Sequence, residues 1–580
     1  MTHAPFAAAL LAALAFMPLL GTAPVVAQTA PEVFTARVIV GLKPGAAALR
    51  DHAFDPRQNK AEVAAMAQRR ADGLAQHAFA RLTAGRVLNV RTQVMLASST
   101  DSASLARRLA LHPDVAYAVV DERRRFSLLP SDPLFAAGPT SGRGPDVGQW
   151  YLRAPTATVK SSINAQGAWD LSTADSRVVV AVLDSGVLAD HPDLVGRVLP
   201  GMDMIADAAV ANDGNGRDSD ATDPGDWVTA AEDANKSGPF YQCGAQDSSW
   251  HGTQVAGIIG ANGNNAVGMT GTAYGARILP VRVLGKCGGF DSDIVAGMYW
   301  AAGIDQPGVP ASSTPARVLN MSLGGDGACT QPYVEAVSAL TARNAVVVVA
   351  AGNTTGHVTG TPANCPGVIA VAGLRHVGSK VGFSDLGPEI TLSAPAGNCV
   401  NVGAGEPCLY PILTTSNSGT RGPAAGGSIY TDAFRASLGT SFSAPLVSGT
   451  VALMLSVQPS LTTAEIINTL KRTARPFPTT GADNGSDPAP VPVCRAPDGT
   501  DQLQCYCTTA FCGAGMLDAA AAVAAVVPVV TPPDTPPVTP PSSGGGGGAM
   551  SGGWLALLAL GVAALHWALR PRRRAAQARC

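Results

Sequence analysis

Charged residues are scarce in this chain of 580 residues. Only 14% of them are Asp, Glu, Lys or Arg, and 42 acidic side chains nearly balance 40 basic ones, which leaves a net charge of −2. A nucleic-acid-binding chain usually carries a clear excess of positive charge. The composition therefore indicates neither nucleic acid nor an acidic polymer as a partner. The length exceeds that of one domain and predicts three or four regions.

Cys-x-x-Cys pairs, a frequent spacing in zinc sites, are also absent. Of the 11 cysteines, all except Cys580 lie between Cys243 and Cys512, so an even number falls in one region. This pattern favours disulfide bonds and an oxidising compartment. The last four of them (Cys494, Cys505, Cys507 and Cys512) are expected to pair locally, with a zinc site as the alternative. Cys399 and Cys408 would close a short loop.

Basic residues are missing from the start of the chain as well. No Lys or Arg precedes the apolar stretch from Phe6 to Leu20, although secretory signals usually begin with positive charge. Small residues ending at Ala27 follow this stretch and are typical of a cleavage site. We predict that residues 1–27 are a signal peptide and that the chain is exported. An uncleaved N-terminal anchor is the alternative.

Three motifs supply an acid, a base and a nucleophile, in that order along the chain. They are Val-Leu-Asp-Ser-Gly at 182–186, His-Gly-Thr at 251–253 and Gly-Thr-Ser-Phe-Ser-Ala-Pro at 439–445. A serine hydroxyl becomes a good nucleophile when an imidazole takes its proton, and the imidazole needs a carboxylate to fix its tautomer. Each motif alone is usually a turn or a loop. Together they predict a serine hydrolase with Asp184, His251 and Ser441 as its triad.

The flanking residues predict where these side chains lie. The apolar run Val178–Leu183 indicates a buried strand with Asp184 at its carboxyl end, the end at which open α/β sheets place their chemistry. Small and apolar residues after His251 predict a tightly packed helix. Pro445 is expected in the first turn of a buried helix behind Ser441, where a missing N–H is tolerated.

The region 141–525 resembles the subtilisin-like serine proteases (subtilases), whose triad has the same chain order. The further matching segments are His191-Pro-Asp-Leu, Asn264–Met269, Ile278–Leu284, Leu319–Gly325 and Gly352-Asn353. One departure is Phe442, which stands where the family usually has Met. The resemblance implies an α/β fold, with a central mostly parallel sheet flanked by helices. It also implies a serine endopeptidase that cleaves protein or peptide substrates through an acyl-enzyme.

The resemblance assigns further roles around the triad. Asn353 would donate to the oxyanion together with the backbone N–H of Ser441, with a turn-forming Asn as the alternative reading. The substrate groove would be formed by two sets of residues. The first lines the primary pocket (Ser322, Leu323, Gly324, Gly325, Ala350 and Gly352), and the second lies opposite it (Gly288 and Gly289). No acid is evident on the pocket walls, which predicts a preference for apolar or aromatic residues.

Residues 28–140 differ in character from the catalytic region. A strand is predicted at Arg37–Pro44, helices at 62–84 and 103–111, and another strand at Val115–Val120. This α+β pattern resembles the inhibitory prodomain of subtilases and implies a self-processing proenzyme that its own prodomain inhibits. An unrelated N-terminal binding domain is the alternative. The loop 126–147 would hold the processing site.

The resemblance also implies structural calcium, and no organic cofactor. Five residues match a calcium site found in many subtilases (Gln149, Asp193, Asn265, Val267 and Met269). A second candidate is a Gly-rich acidic loop with Asp213, Asp218 and Asp220, followed by Asp223 and Asp226. A solvated acidic loop is the alternative there. The favoured disulfides are Cys243–Cys287 and Cys329–Cys365, although the sequence does not fix the pairing.

The C-terminus has three parts. Residues 526–548 form a linker rich in Pro, Thr and Gly, 549–569 are apolar, and the basic tail 570–580 begins with Arg570. This arrangement resembles Gly-Gly sorting signals that a rhomboid-like intramembrane protease removes. A retained stop-transfer anchor is the alternative. Either reading places the protein outside the cytoplasm, secreted or at the cell surface, with a membrane segment that is kept or removed.

A hypothesis outside the enzyme class stays open, namely that the chain is a surface binding protein built on an inactive protease scaffold. Within the enzyme class, a dedicated processing protease and a broad degradative one are both compatible with the groove residues.

Overall fold

The computed structural model describes residues 36–53, 57–121, 129–136, 147–397, 410–431, 439–482 and 491–528. They fall into two compact units, one with the described residues up to 121 and one with those from 129 to 528. The predicted signal peptide, membrane segment and basic tail lie outside the described residues. So do Cys399, Cys408 and most of the predicted linker and processing loop.

The N-terminal unit is a small α+β fold. Its four strands form an antiparallel sheet in the order β2-β3-β1-β4. Val38 and Val40 of β1 pack with Leu74 of α2 and with Leu105 and Leu109 of α3, and this apolar layer is the core of the unit. The elements are β1 (Ala36–Leu42), α1 (Ala47–Asp51), α2 (Lys60–Ala78), β2 (Thr83–Asn89), β3 (Thr92–Ala97), α3 (Ser102–Ala110) and β4 (Val115–Val120).

The predicted helix at 62–84 is too long at its C-terminal end. It stops at Ala78 because Phe79 turns into the left-handed conformation (φ 46°) and donates its N–H to Gln76. Thr83 and Ala84 already belong to β2, which forms a hairpin with β3. The helical periodicity of the sequence continues past this boundary. The conformation after Phe79 is decided instead by the pairing of β2 with β3.

The larger unit contains short helices, a parallel sheet and a small hairpin. In chain order its elements are α4 (Pro133–Ala136), a 3₁₀ turn (Trp150–Leu152), α5 (Ala165–Trp169), β5 (Val179–Asp184), β6 (Met202–Asp203), α6 (Ala208–Ala211), α7 (Ala230–Ala234), α8 (His251–Gly260), β7 (Arg277–Arg282), α9 (Asp291–Ala301), β8 (Val318–Met321), α10 (Gln331–Ala342), β9 (Val346–Ala350), β10 (Ile369–Leu374), β11 (Ile390–Pro395), β12 (Thr414–Asn417), β13 (Ser428–Thr431), a second 3₁₀ turn (Thr440–Phe442), α11 (Ser443–Val457), α12 (Thr463–Thr473) and α13 (Ala519–Ala524).

Seven parallel strands form the central sheet in the order β11-β10-β9-β8-β5-β7-β6. Its strands are mostly apolar and almost entirely buried because helices cover both faces. Val180 and Val182 of β5 pack on the side of α8 and α11. Ala181 and Leu183 face the other side, with α9 and α10. The predicted fold class, a mostly parallel sheet flanked by helices after a small α+β region, is confirmed.

The run Thr440–Val457 contains α11. In the described part of the chain it is the one helix long and apolar enough to cross a membrane, and most of it is buried inside this unit. Pro445 lies in its first turn, as predicted, where its missing N–H leaves no helical bond unmade. The helix belongs to the core of a folded unit.

Three neighbouring strands of the sheet end near one another. β5 ends at Asp184, β8 ends one residue before Ser322, and β9 ends shortly before Asn353. The strands are parallel and adjacent in the order β9-β8-β5, so their carboxyl ends share one edge. This edge is the usual position for chemistry in an open α/β sheet.

Candidate active site

Asp184 and His251 form a hydrogen-bonded pair at this edge. Nδ1 of His251 lies 2.8 Å from Oδ1 and 3.0 Å from Oδ2 of Asp184. Asp184 is fully buried, and His251, the first residue of α8, is partly exposed. Burial lowers the pKa of His251, but the carboxylates of Asp184, Asp226 and Asp223 together raise it by more, so the net pKa lies above its ordinary value. The pair has the geometry of a general base with its orienting carboxylate.

A second contact fixes the distance between these two residues. The Ser185 hydroxyl accepts a hydrogen bond from the N–H of Gly252 at 3.0 Å and donates to Asp223 at 2.7 Å. It thus ties the residue after Asp184 to the residue after His251. Asp223 is buried, which raises the pKa of its carboxyl group to about 7. Ser185 and Asp223 therefore hold the loop of β5 against the start of α8.

Ser441 lies in the 3₁₀ turn before α11. Its hydroxyl donates to the carbonyl oxygen of Ser322 at 3.2 Å, and the Ser322 hydroxyl donates to the carbonyl oxygen of Ser441 at 2.7 Å. Among the described residues, no hydrogen bond joins Ser441 to His251. Phe442 is buried, and its ring centroid is 5.8 Å from that of His251. The aromatic residue that departs from the family pattern thus packs beside the imidazole.

Asn353 follows shortly after the end of β9 and lies close to Ser441. Its Oδ1 accepts hydrogen bonds from the N–H of Thr440 at 2.9 Å and from the Thr440 hydroxyl at 3.1 Å. These bonds hold the oxygen end of the amide, so the NH₂ end is the free donor. Asn353, Thr440 and Ser441 all line one pocket. The arrangement suits an amide donor aimed at charge that develops next to Ser441.

That pocket, the first pocket, has a volume of about 360 Å³. The structure brings together on its walls the predicted residues Ser322, Leu323, Gly324, Gly325, Ala350 and Gly352. Two acids also line it, which the sequence reading missed: Asp326, which is exposed, and Asp385, which is buried. The carboxylate of Asp385 accepts bonds from the N–H (2.9 Å) and hydroxyl (2.8 Å) of Thr354. The predicted preference for apolar or aromatic substrate residues rested on an absence of acids from the walls of this pocket, and that premise was wrong.

Two further pockets continue the groove. The His251 pocket, of about 340 Å³, shares Ser322 with the first pocket and is lined by residues that include Asp184, Asp226, Cys243, Ser249, His251, Leu284 and Cys287. The outer pocket, of about 430 Å³, contains Gly288 and Gly289 together with Leu323–Asp326. The two predicted glycines thus lie across the groove from the segment that follows β8.

In the first predicted calcium set, the side-chain oxygens of Asp193, Asn265 and Gln149 already accept hydrogen bonds. Asp193 accepts hydrogen bonds from the Asn265 amide at 2.9 Å and from the N–H of Met269 at 2.8 Å. The side-chain oxygen of Asn265 accepts from the N–H of Val267 at 2.9 Å, and Gln149 bonds both N–H and carbonyl of Thr270. N–H groups repel a cation. Hydrogen bonds thus occupy the side-chain oxygens of this set in the structure, and its role in calcium binding stays a prediction.

The carboxylates of the second predicted set take part in an ion pair and in local turns. Asp213 forms an ion pair with Arg282 at 2.8 Å, so its charge is already compensated. Asp218 accepts from the N–H of Asp220 at 2.7 Å, and Asp220 accepts from the N–H of Thr222 at 2.9 Å. These are local turns of the kind that Asp side chains form in loops. Asp223 and Asp226, which the sequence reading grouped with this loop, instead lie beside Ser185 and Ser249 near His251.

Four disulfides are present among the described residues. Cys243–Cys287 and Cys329–Cys365 are the two pairs favoured from the sequence. The C-terminal cysteines pair as Cys494–Cys505 and Cys507–Cys512. Although Sγ atoms of Cys494, Cys507 and Cys512 lie within 4.8 Å of one another, all three take part in these bonds. The disulfide reading of this cluster thus replaces the zinc alternative.

Similarity to known proteins agrees with the geometry. Residues 175–491 match the model of the subtilase family. The chain is 37% identical over 492 residues to an extracellular protease of Xanthomonas campestris, covering 84% of this chain and 72% of that protein. It is also 37% identical over 374 residues to an extracellular basic protease of Dichelobacter nodosus, covering 64% of this chain and 56% of that protein.

A solved protease structure is also similar to this chain. The structure, described as proteases from Pseudoalteromonas arctica, aligns with a TM-score of 0.54 at 40% identity and covers 68% of this chain and 99% of that one. The family match covers more than half of the chain. The chain therefore belongs to the subtilase family of serine proteases.

Proposed function

We propose that this chain is a subtilisin-like serine endopeptidase that acts outside the cell on protein or peptide substrates. The observation that carries the proposal is the hydrogen-bonded pair of Asp184 and His251, which shares one edge of the sheet with Ser441 and Asn353. The relatives named above are extracellular proteases. A nucleophile, a base, an orienting acid and an oxyanion donor together are what acyl transfer requires.

The proposed reaction begins when the Ser441 hydroxyl turns from the Ser322 carbonyl to Nε2 of His251. Its oxygen attacks the carbonyl carbon of the scissile peptide bond while His251 takes the proton. The C–N bond then breaks, and His251 gives the same proton to the leaving amine. Water repeats the two steps on the acyl-enzyme, which releases the second product and restores Ser441.

Asp184 and Asn353 would stabilise the charged states that form during this reaction. Asp184 holds Nδ1–H of His251, so that Nε2 faces Ser441, and it stabilises the imidazolium that forms. The oxyanion of the tetrahedral intermediate would receive hydrogen bonds from the Asn353 amide and from the N–H of Ser441. Because Thr440 fixes the amide, this donor is oriented before substrate binds.

The test is whether catalysis passes through a covalent acyl-enzyme. A nitrophenyl ester should give a rapid burst of nitrophenol, equal to the number of active sites, before a slower steady phase. The Ser441→Ala variant should give no burst. A folded, processed protein that produces no burst and hydrolyses no peptide would favour the binding-scaffold reading.

We further propose that the protein is made as an exported proenzyme. The N-terminal α+β unit would act as the inhibitory prodomain, and residues 126–147 would contain the processing site. Ser441→Ala should then accumulate as an uncut precursor. Normal maturation of this variant would show that another protease performs the cut.

The C-terminal segment is part of the same proposal. Residues 549–569 would cross a membrane, after which a rhomboid-like protease cuts near the Gly-rich stretch or the segment stays as an anchor. Mass spectrometry of the C-terminal peptide of the mature protein separates the two outcomes. A chain that ends between residues 544 and 553 supports sorting, and a chain that ends at Cys580 supports an anchor.

Calcium has no step in the proposed reaction. Subtilases typically bind calcium, and in both predicted sets of this chain carboxylate oxygens already take part in hydrogen bonds or an ion pair. Calorimetric titration of the chelator-treated protein with calcium is the direct measurement. Heat of binding would show that a loop rearranges to take the ion, and no heat would show that the hydrogen bonds described here persist.

A further inference from the structure

The His251 pocket carries a net negative charge that the proposed reaction does not use. Asp226 lies on its wall, half-buried. The N–H and the hydroxyl of Ser249 both donate to its carboxylate, each at 2.7 Å. Ser249 is two residues before His251, so the carboxylate is held in a fixed position beside the imidazole. An acid held in this way is available to a ligand in the pocket.

Among the described residues, no lysine or arginine lines this pocket, and His251 is already paired with Asp184. The nearest lysine along the chain, Lys286, is buried and turned away from it. Its ammonium group forms an ion pair with Glu232 and lies 5.1 Å and 4.9 Å from the ring centroids of Trp227 and Phe240. The charge of Lys286 is thus compensated elsewhere. The charge of Asp226 has no cationic partner among the residues that line the pocket.

The rest of the wall has an apolar part beside polar residues that include Asp184, Ser185 and Gln246. The disulfide Cys243–Cys287 and the side chain of Leu284 line it. Gly285 and Gly288 exchange two backbone hydrogen bonds, at 2.8 Å and 3.1 Å, which close the turn that carries Cys287. A pocket with an apolar part and two carboxylates, of which Asp184 is bonded to His251, suits a side chain with a methylene stem and a cationic end.

The position of the pocket defines which substrate residue enters it. Ser322 lines both the first pocket and the His251 pocket, which are therefore neighbours along the groove. Successive side chains of an extended peptide point to opposite faces. When the residue before the cleaved bond occupies the first pocket, the residue preceding it points towards His251.

We propose that the His251 pocket selects a lysine or arginine as the second residue before the cleaved bond, and that Asp226 is the residue that confers this preference. The proposal rests on the proposed peptidase function. It names a substrate class, peptides with a basic side chain at this position.

The test compares two fluorogenic peptides that differ only at that position, lysine in one and norleucine in the other. Wild-type enzyme should cleave the lysine peptide with kcat/KM about tenfold higher at low ionic strength, which corresponds to about 1.4 kcal/mol. The ratio should fall as salt is added, since the pocket is open to solvent. In Asp226→Asn the ratio should fall to within about twofold of one.

The ratio is used because Asp226 also raises the pKa of His251, an effect common to both peptides. Asp305→Asn, a change of the same charge at an exposed position outside the three pockets, should keep the wild-type ratio. Equal cleavage of both peptides by wild type, or a ratio that survives Asp226→Asn, would overturn the proposal. Failure to cleave either peptide, with no burst on the ester, would overturn the peptidase function instead.

Discussion

The start of α8 tolerates no side chain at Gly252. A Cβ built there lies 2.1 Å from the carbonyl oxygen of Gly186 and 3.2 Å from Cβ of Asp184. Both neighbours belong to the loop that carries the acid. Gly252→Ala therefore forces the helix start and this loop apart, which makes the substitution a direct test of the spacing between Asp184 and His251.

The size of the effect follows from these distances. A carbon and an oxygen atom need a separation of a little over 3 Å, so the helix start must move by about 1 Å. The same movement lengthens the 2.8 Å bond between His251 and Asp184 to about 3.8 Å, beyond hydrogen-bond range. A misplacement of this size costs on the order of 10²-fold in rate, and loss of the carboxylate's support of the base up to about 10⁴-fold.

The assay is kcat/KM for a peptide substrate, with thermal unfolding measured in parallel to show that the variant is folded. Gly260→Ala, in the same helix, is the matched control. Its added Cβ meets only the end of the flexible Ile278 side chain, at 3.0 Å. Since alanine favours helix by about 1 kcal/mol over glycine at both sites, helix propensity cannot explain a difference between them.

We expect Gly252→Ala to lose at least about 10²-fold in kcat/KM and Gly260→Ala to stay within about threefold of wild type, as small repacking changes do. A Gly252→Ala enzyme with nearly normal activity would refute the reasoning, because it would show that the contact between Gly252 and Gly186 does not set the geometry of the pair.

Three further predictions follow from the site and its supports. Asn353→Ala should lower kcat by about 10²–10³, the range established for an oxyanion donor of a subtilisin, with little change in KM; an unchanged kcat would remove Asn353 from the mechanism. Because Asp184 raises the pKa of His251 and the neutral imidazole is the base, kcat/KM should fall as the pH drops through a midpoint above the ordinary histidine value of about 6.5, and a midpoint below it would contradict the pairing. Replacing Cys329 and Cys365 by serine in an inactive background opens a loop of sequence separation 36 and should lower the free energy of unfolding by about 3–4 kcal/mol in a denaturant titration; an unchanged free energy would show that this bond adds no stability.

Local patterns predicted the centre of the fold and the candidate site well. Asp184 ends a strand, His251 begins a helix, and Pro445 lies in the first turn of α11 because apolar runs and terminal residues encode these features locally. The motif order implied a family, and with it the positions of Asn353 and the glycines of the groove. Functional residues that belong to short sequence motifs can be identified from the sequence alone.

Contacts between distant residues could not be read in the same way. Asp223 and Asp226 belong to an acidic, Gly-rich stretch, and only the folded chain turns them towards Ser185 and Ser249. Asp385 lies far along the chain from the pocket segment at 322–325. Likewise the predicted calcium ligands have suitable residue types, but Asp193 accepts bonds from Asn265 and Met269, and Asp213 pairs with Arg282. Which partner a carboxylate finds depends on tertiary packing, and residue type alone does not determine it.

The central claim is that Ser441 is an activated nucleophile in an assembled site. The most direct measurement is exposure of the exported protein to a fluorophosphonate probe beside Ser441→Ala, with mass spectrometry of the labelled peptides. We expect one label, on Ser441, and no label on the Ser441→Ala variant. A folded and fully processed protein that takes no label, or takes it equally in the variant, would contradict the account.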